Sequence, residues 1–513
     1  MKPTGLNEGA TLLDASMYEA ARQARDPRYD GRFFVGVITT GIYCRPVCPV
    51  RVPKQENVRL YRSAASAAKA GFRPCLRCRP ESSPGTPAWS GGEWKVAQAL
   101  TLIEAGFLDD KPLAELADSL GVGGRQLGRL FQQHLGAAPS DVAQTRRLHF
   151  AKKLIDETAL PLTEVCFAAG FGSVRRFNSV LKQTYGCSPS ELRKRGRGIR
   201  SQSGLSALAA APITLQLSYR PPYDWQALLA FLAYRAIPGV ESVGENYYAR
   251  SFKLLAEHAS GCAEGHFIAC FDNQAPSVEL RVWINNTAVL HRVVERVKAI
   301  LDLRADSAAI ENALVPSPQL AGLCSRFPGT RVPGCWSGFE VTVRAILGQQ
   351  VSVKAASTLA ARVAARFGES YNSGMPEITF LFPEPAALID ESLDGLGIVQ
   401  TRIAAIKEVA SRLAEGRLNF HQTTQLDEFI AQLCEVKGIG EWTANYVAMR
   451  ALGDPDAFPH SDLILLRAAA EQGETLTPKQ LLQRSEAWRP WRAYAVLLLW
   501  RGYAQEIDSQ KSN

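Results

Sequence analysis

The sequence predicts a multidomain, mainly α-helical protein, and three observations lead to that class. Its 513 residues exceed what one hydrophobic core organises, so about two to four domains follow. Four cysteines in two close pairs, "CRPVC" and "CLRC", read as a metal staple for a small N-terminal domain. Beyond them, a duplicated stretch repeats helical periodicity around a glycine turn, which calls for an all-α unit.

The first unit is expected over residues 1–85 as a small α+β domain. Cys44 and Cys48 form C-x3-C, and Cys75 and Cys78 form C-x2-C. Two close pairs of soft thiolates suit one tetrahedral zinc, and about 80 residues bury too little core to dispense with such a staple. On spacing alone the zinc is structural. Two features point further. Zinc with four thiolates carries a net charge of about −2, which makes a metal-held sulfur electron-rich toward an alkyl group. Arg45, Arg51, Lys54, Arg59, Arg73, Arg77 and Arg79 also surround the pairs, a setting that would hold a phosphate backbone.

Composition excludes several classes. Hydrophobic residues make up 46% and charged ones 21%, which is ordinary for globular protein. No apolar run reaches the ~18 residues of a membrane span, and the N-terminus lacks the pattern of a secretory signal. The seven remaining cysteines are scattered, as expected for a reducing cytoplasm. Net charge is +8, but residues 1–204 hold 30 Lys+Arg against 18 Asp+Glu, whereas the remainder is net acidic. The front half is a polyanion binder by its electrostatics. In the back half any DNA contact has to come from a local patch or from backbone amides.

"ESSPGTPAWSGGE" (81–93) and "KRGRGIRSQSGLSALAAAP" (194–212) read as flexible linkers. Between them, over 90–200, copies beginning at Pro112 and Pro161 align with one inserted residue in the second. Leu113 matches Leu162, Gly121 matches Gly170, Leu127 matches Phe177, Gly136 matches Gly186, and Pro139 matches Pro189. Each copy is a helix-turn-helix. Arg125 and Arg129 lie on one second helix, Arg175 and Arg176 on the other, where a recognition helix contacts phosphates and base edges. The competing reading is that these are solvated faces of a helical bundle.

In the remainder, expected as one unit over 213–505, "VKGIGEWTA" has the helix–Gly-x-Gly–helix form of a helix-hairpin-helix. Gly438 and Gly440 let the backbone approach a phosphate, and the amides opening the next helix can bind it. Asp462 lies 22 residues after Gly440, where hairpin-type base-excision glycosylases, which this stretch resembles, keep their catalytic acid. As an isolated aspartate it reads more readily as a helix cap.

Two resemblances sharpen these readings. Residues 33–80, with "TTGIYCRP", "ENV" and "AGFRPCLRCRP", resemble the N-terminal domain of Ada, the bacterial methylation-response regulator, and the tandem helix-turn-helix resembles the AraC-type domain that follows it there. The resemblance implies that Cys44 takes a methyl group irreversibly from a DNA methylphosphotriester and that Arg51 contacts the backbone. It also implies that the methylated protein binds a promoter and works with RNA polymerase. "PPYDWQALLAFLAYRAIPGVESVGENYYARSF" (221–252), "RVPGCWSGFEVTVRAILGQQVSVKAA" (331–356) and "WRPWRAYAVLLLW" (488–500) are similar to AlkA-type 3-methyladenine DNA glycosylases. This implies a short antiparallel sheet ahead of a helical body, with Asp462 as the catalytic acid. Trp442, Tyr446 and Trp500 would be base-pocket aromatics, and Gln350 would stand where the family has an apolar wedge. Trp488, Trp491 and Tyr494 are expected in the core.

Trp442 occupies the place of a Schiff-base lysine, so a monofunctional glycosylase without lyase activity is expected. No closely spaced four-cysteine cluster follows the hairpin, so no iron–sulfur centre is expected. No Pro-Cys-His-Arg tetrapeptide occurs, so no O6-methylguanine transfer is expected. The whole reads as a cytoplasmic, nucleoid-associated monomer acting on alkylated and promoter double-stranded DNA. Two alternatives use the same residues. One is a pure regulator with structural zinc and an inactive glycosylase-like domain. The other is a constitutive repair enzyme whose front half only delivers it to DNA.

Overall fold

A computed structural model describes residues 12–84, 94–196, 211–255, 262–271, 275–420, 425–470 and 475–512. The central parts of both predicted linkers, 85–93 and 197–210, lie outside the described residues.

The N-terminal unit is a four-stranded sheet of β1 (Phe34–Val37), β2 (Ile42–Cys44), β3 (Val58–Tyr61) and β4 (Arg73–Pro74) in the order β3-β1-β2-β4. Its register builds the metal site. β2 and β4 run parallel with Tyr43 opposite Pro74, so the next residues, Cys44 and Cys75, emerge side by side at one end. Tyr43, fully buried, packs with Phe34, Tyr61 and Phe72 under the helix Ala64–Lys69. A Cβ at Gly36 would meet the Tyr61 ring at 2.7 Å, so this strand position requires glycine.

Next come the helices Leu113–Ser119 and Gly124–Leu135, a 19-residue connecting helix Pro139–Glu157, and the helices Leu162–Ala168 and Val174–Tyr185. The repeat is conformational as well as sequential. Gly121 and Gly170 turn with φ of +61° and +82°, and Gly136 and Gly186 cap their helices at +70° each. These are left-handed positions that glycine fills without strain.

The third unit opens with a wholly antiparallel sheet of β5 (Ile213–Ser218), β6 (Glu241–Val243), β7 (Tyr247–Leu255), β8 (Cys262–Phe271) and β9 (Ser277–Ile284), ordered β5-β9-β8-β7-β6. A helical body follows. The two parts are joined by Arg250 on β7, whose buried guanidinium grips both oxygens of Glu340 at 3.2 and 2.6 Å on the helix Gly338–Leu347. Among the described residues no helix is long and apolar enough to cross a membrane.

The arrangement of the units, which the sequence leaves open, is set by packing between them. One apolar cluster runs from Leu148 of the connecting helix and Phe177 and Leu181 of the second helix-turn-helix copy into Leu215, Val278 and Leu290 of the third unit. The first copy leans on the N-terminal unit instead, where Ser63 Oγ donates to the Leu135 carbonyl at 3.0 Å. Tyr43 and His149 share a hydrogen bond of 2.8 Å.

Candidate active sites

The four cysteine sulfurs lie within 4.8 Å of one another. Crowding at that distance sets the thiols in competition for protons. Hydrogen bonding to Cys48 and Cys75 pushes Cys44 up, while a bond from Cys44 pulls Cys48 down to about 7. A dication resolves the contest by taking all four as thiolates, and this donor set fits zinc.

The four ligands are not equivalent. Cys75 and Cys78 are buried, whereas Cys44 and Cys48 are part-exposed. A cavity of about 480 Å³ opens on the exposed pair, walled by Val35, Val37, Val50 and Val52 and rimmed by Arg51, Arg73 and Arg77. Apolar walls with a cationic rim suit a methyl group carried on a phosphate. Arg51 is exposed, as an outside phosphate contact requires. Arg45 is placed differently from the solvent-facing contact expected of it. Its Nε donates to Asp30 Oδ1 at 2.9 Å, its Nη1 to the Cys78 carbonyl at 3.2 Å, and its own amide to Cys78 Sγ at 3.3 Å. It braces the cluster from inside.

On the two second helices of the repeat, Arg125, Arg129, Arg175 and Arg176 are all exposed. The opposite faces bury Leu127 and Phe131 in one copy and Phe177 and Leu181 in the other. The copies differ at their N-termini. Ser173 Oγ accepts from Arg176 N, but Gly123 at the equivalent position offers no side-chain cap.

The helix-hairpin-helix is formed by Leu426–Cys434 and Glu441–Val447, with Gly438 at φ +97° in the turn and Gly440 at the N-cap. Both glycines are exposed. After a π-helical turn over Ala448–Leu452, the chain returns to Asp462. Asp462 does cap the helix Leu463–Ala468, with Oδ1 accepting from Ile464 N at 3.0 Å and Leu465 N at 2.9 Å. It also takes the indole N–H of Trp442 on Oδ2 at 2.8 Å and that of Trp500 on Oδ1 at 3.2 Å. Cap and cavity positions coincide in one carboxylate, so the helix-cap reading holds and does not take the side chain away from the cavity.

Trp442, Tyr446, Trp500 and Asp462 line one cavity of about 980 Å³. The rings of Trp442 and Tyr446 lie parallel, with centroids 5.5 Å apart. Trp488 and Tyr494 are core residues, as expected, and Trp491 packs against that core. Sequence reading missed the cations around Tyr446. Arg235, which lines the cavity, lies over the Phe231 ring at 3.7 Å, and Arg450, behind it, donates from Nη1 to Tyr446 Oη at 2.8 Å. The one available signal was an arginine within or closing an apolar helical run, "LLAFLAYR" and "NYVAMR".

Gln350 is exposed at the tip of the loop between the helices Gly338–Leu347 and Val353–Phe367, with φ +55°. A side chain in the left-handed region at an exposed tip is a strained placement that something must hold.

A four-thiolate metal centre, paired recognition-type helices and a hairpin-bound carboxylate under aromatic rings define a DNA-acting protein that combines regulation with repair. The Ada metal binding domain matches residues 17–81, a helix-turn-helix domain 116–195, and the AlkA N-terminal domain 214–337. The chain belongs to the family of bifunctional transcriptional activator/DNA repair enzymes. It is 38% identical over 480 residues to the probable bifunctional transcriptional activator/DNA repair enzyme AlkA of Mycobacterium tuberculosis, covering 94% of this chain and 95% of that one. It is 34% identical over 285 residues to DNA-3-methyladenine glycosylase 2 of Escherichia coli, 55% of this chain and 95% of that one. To the bifunctional transcriptional activator/DNA repair enzyme Ada of the same organism it is 34% identical over 205 residues, covering 39% of this chain and 55% of that one.

Proposed function

We propose that this chain senses DNA alkylation at Cys44, activates transcription through its tandem helix-turn-helix, and excises alkylated purines such as 3-methyladenine at Asp462. The division of labour is 1–85 for methyl acceptance, 90–200 for promoter binding and 213–505 for base excision. The observation that carries the excision reading is the Asp462 carboxylate, bonded by two indoles inside an aromatic-lined cavity beside a helix-hairpin-helix.

Bound zinc supplies thiolate character to all four cysteines and fixes the domain. Cys44, one of the two part-exposed ligands on the cavity, attacks the methyl carbon of a phosphotriester. The S–C bond forms as the C–O bond breaks, and a phosphodiester anion leaves with the electron pair. Methylation takes the cluster from about −2 to −1. One unit charge at ~8 Å, at a dielectric between ~20 and ~80, is worth about 0.5–2 kcal/mol per nearby phosphate. Several phosphates at such distances raise promoter affinity by orders of magnitude, less at high salt. The exposed Arg125, Arg129, Arg175 and Arg176 then engage promoter DNA, and RNA polymerase is recruited to it.

Alkylation at a purine ring nitrogen makes the base cationic and a good leaving group. Gln350 fills the gap as the nucleotide is extruded, and Gly438 and Gly440 bring the backbone against the phosphate. Trp442, Tyr446 and Trp500 hold the cation by their ring faces. The N-glycosidic bond breaks with its electrons going to the base, Asp462 stabilises the cationic sugar, and water adds at the anomeric carbon and gives up a proton. No amine stands at the Trp442 position, so the reaction stops at hydrolysis without strand cleavage. The protein acts as a monomer on bacterial chromosomal DNA in the cytoplasm.

One experiment tests both halves. The purified zinc-loaded chain is incubated with methylated DNA, freed bases are separated, and the Cys44 peptide is weighed. Free 3-methyladenine together with one added methylene on Cys44 is the expected result. Freed base without the mass gain leaves a repair enzyme with a structural zinc. The reverse leaves a pure regulator.

A further inference from the structure

The loop carrying Gln350 is fastened to the hairpin by its neighbour. Gln349 Nε2 donates to the Gly438 carbonyl at 2.8 Å and reaches Thr443 Oγ1 at 3.4 Å. Gly438 is the left-handed residue of the hairpin turn, and Thr443, buried, sits beside Trp442 on the helix that lines the base cavity. A second clamp acts on the loop backbone, since Arg402 donates to the Gln349 carbonyl with one nitrogen and to the Leu347 carbonyl at 3.5 Å with another. Three parts of the excision machinery thus meet at one amide: the tip residue Gln350, the turn Gly438 and the helix bearing Trp442.

Held this way, Gln350 keeps a left-handed backbone that a non-glycine residue adopts only when something enforces it. The loop runs only from Gly348 to Ser352, and its tip buries nothing, so packing does not supply the enforcement. We propose that Gln349 is a positioning residue that locks the wedge loop to the phosphate-gripping hairpin, so that Gln350 enters the base stack at a fixed distance from the gripped backbone. This rests on the glycosylase reading of the third unit. The chemical logic is geometric. Filling the gap left by an extruded nucleotide and pulling on its phosphate help one another only if the two elements do not slide apart.

The isostere Gln349→Glu keeps size and packing but loses the N–H and faces a carboxylate oxygen toward the Gly438 carbonyl. Gln349→Ala removes the reach altogether. Both are tested in the full chain on one alkylated base placed either in matched duplex or inside an unpaired bubble. Loss of the tether predicts that single-turnover excision from duplex falls about tenfold or more, with bubble excision unchanged within about twofold. Gln349→Ala adds little to Gln350→Gly, because the wedge is already gone. A second readout needs no turnover. In the Asp462→Asn background, 2-aminopurine beside an abasic analogue brightens on binding if the wedge unstacks the site, and Gln349→Glu is expected to reduce that signal. Equal losses on duplex and bubble, additive effects with Gln350→Gly, or undiminished 2-aminopurine fluorescence would overturn the proposal. A wild-type chain that frees no base from either substrate sinks the glycosylase reading instead, and the fluorescence arm still decides the role of Gln349.

Discussion

Trp442 gives its indole N–H to Asp462 Oδ2 at 2.8 Å while stacking parallel to Tyr446. One side chain therefore orients the carboxylate and forms a wall of the cavity. Trp442→Phe separates the two roles, since it keeps an aromatic face and removes the donor. A hydrogen bond to a charged group is worth about 1.5–3 kcal/mol, so excision should fall about tenfold to a hundredfold while binding of undamaged DNA is retained. Asp462→Asn should lose about a thousandfold or more with binding again intact. Single-turnover base release beside a filter-binding isotherm measures both. Wild-type excision in Asp462→Asn would remove this carboxylate from the chemistry.

Tyr446 yields a pH prediction. Burial raises its phenol, but the guanidinium groups of Arg450, Arg235 and Arg344 outweigh burial and bring it down to about 8. As pH rises through that value, the proton leaves and a negative charge appears at the floor of the cavity. A cationic base then gains relative to a neutral one. The ratio of kcat/KM for 3-methyladenine, which is cationic in DNA, over an uncharged base should climb between pH 7 and pH 9, and Tyr446→Phe should flatten it. A ratio that climbs equally in the variant would assign the effect elsewhere.

The modular plan was legible because each unit carries a strong local code. Paired cysteines, a repeat with glycines at matching turns and a Gly-x-Gly hairpin all depend on short-range geometry. Asp462 was legible only as a choice between cap and catalyst, because its indole donors come from 20 residues before it and 38 after. Arg45 was legible as a cation beside the cluster, but not as one bonded inward. Its partner Asp30 lies 15 residues upstream, and charge alone does not reveal burial. The docking of the modules left no trace in the linkers, since it is written in apolar positions such as Leu148 and Leu215, each accounted for within its own helix or strand.

That docking places a neutral histidine where acid can act. His149 is half-buried against Tyr43, and desolvation there lowers it to about 4. In the unfolded chain the same group titrates near ~6.5. Below that value the unfolded state binds a proton that the folded state refuses, so stability falls as pH drops from about 6.5 toward 4. The full difference amounts to about 3 kcal/mol. His291, lowered by burial and by Arg146 at the same junction, works in the same direction. Urea titrations at pH 7 and pH 5 should show the loss, and His149→Gln should lessen the pH dependence. Stability that is level across this window would contradict the neutral state.

The methyl switch makes its own demand on salt. Removing one negative charge near the phosphates strengthens promoter binding through Coulomb attraction, which added ions screen with a Debye length of about 10 Å at 0.1 M and about 3 Å at 1 M. The affinity ratio of methylated over unmethylated protein should therefore shrink steadily as salt rises, even while both forms weaken. Cys44→Ser loses the ratio because it cannot accept the methyl group. Chelation should do more than silence the switch, since Cys75 and Cys78 are buried and the Tyr43 core hangs on strands that end at the cluster. Circular dichroism and zinc release measured together should show the N-terminal unit unfolding as one metal ion leaves. A methylation effect that held constant between 50 mM and 500 mM salt would point to a new direct contact made by the methyl group, not to relief of charge.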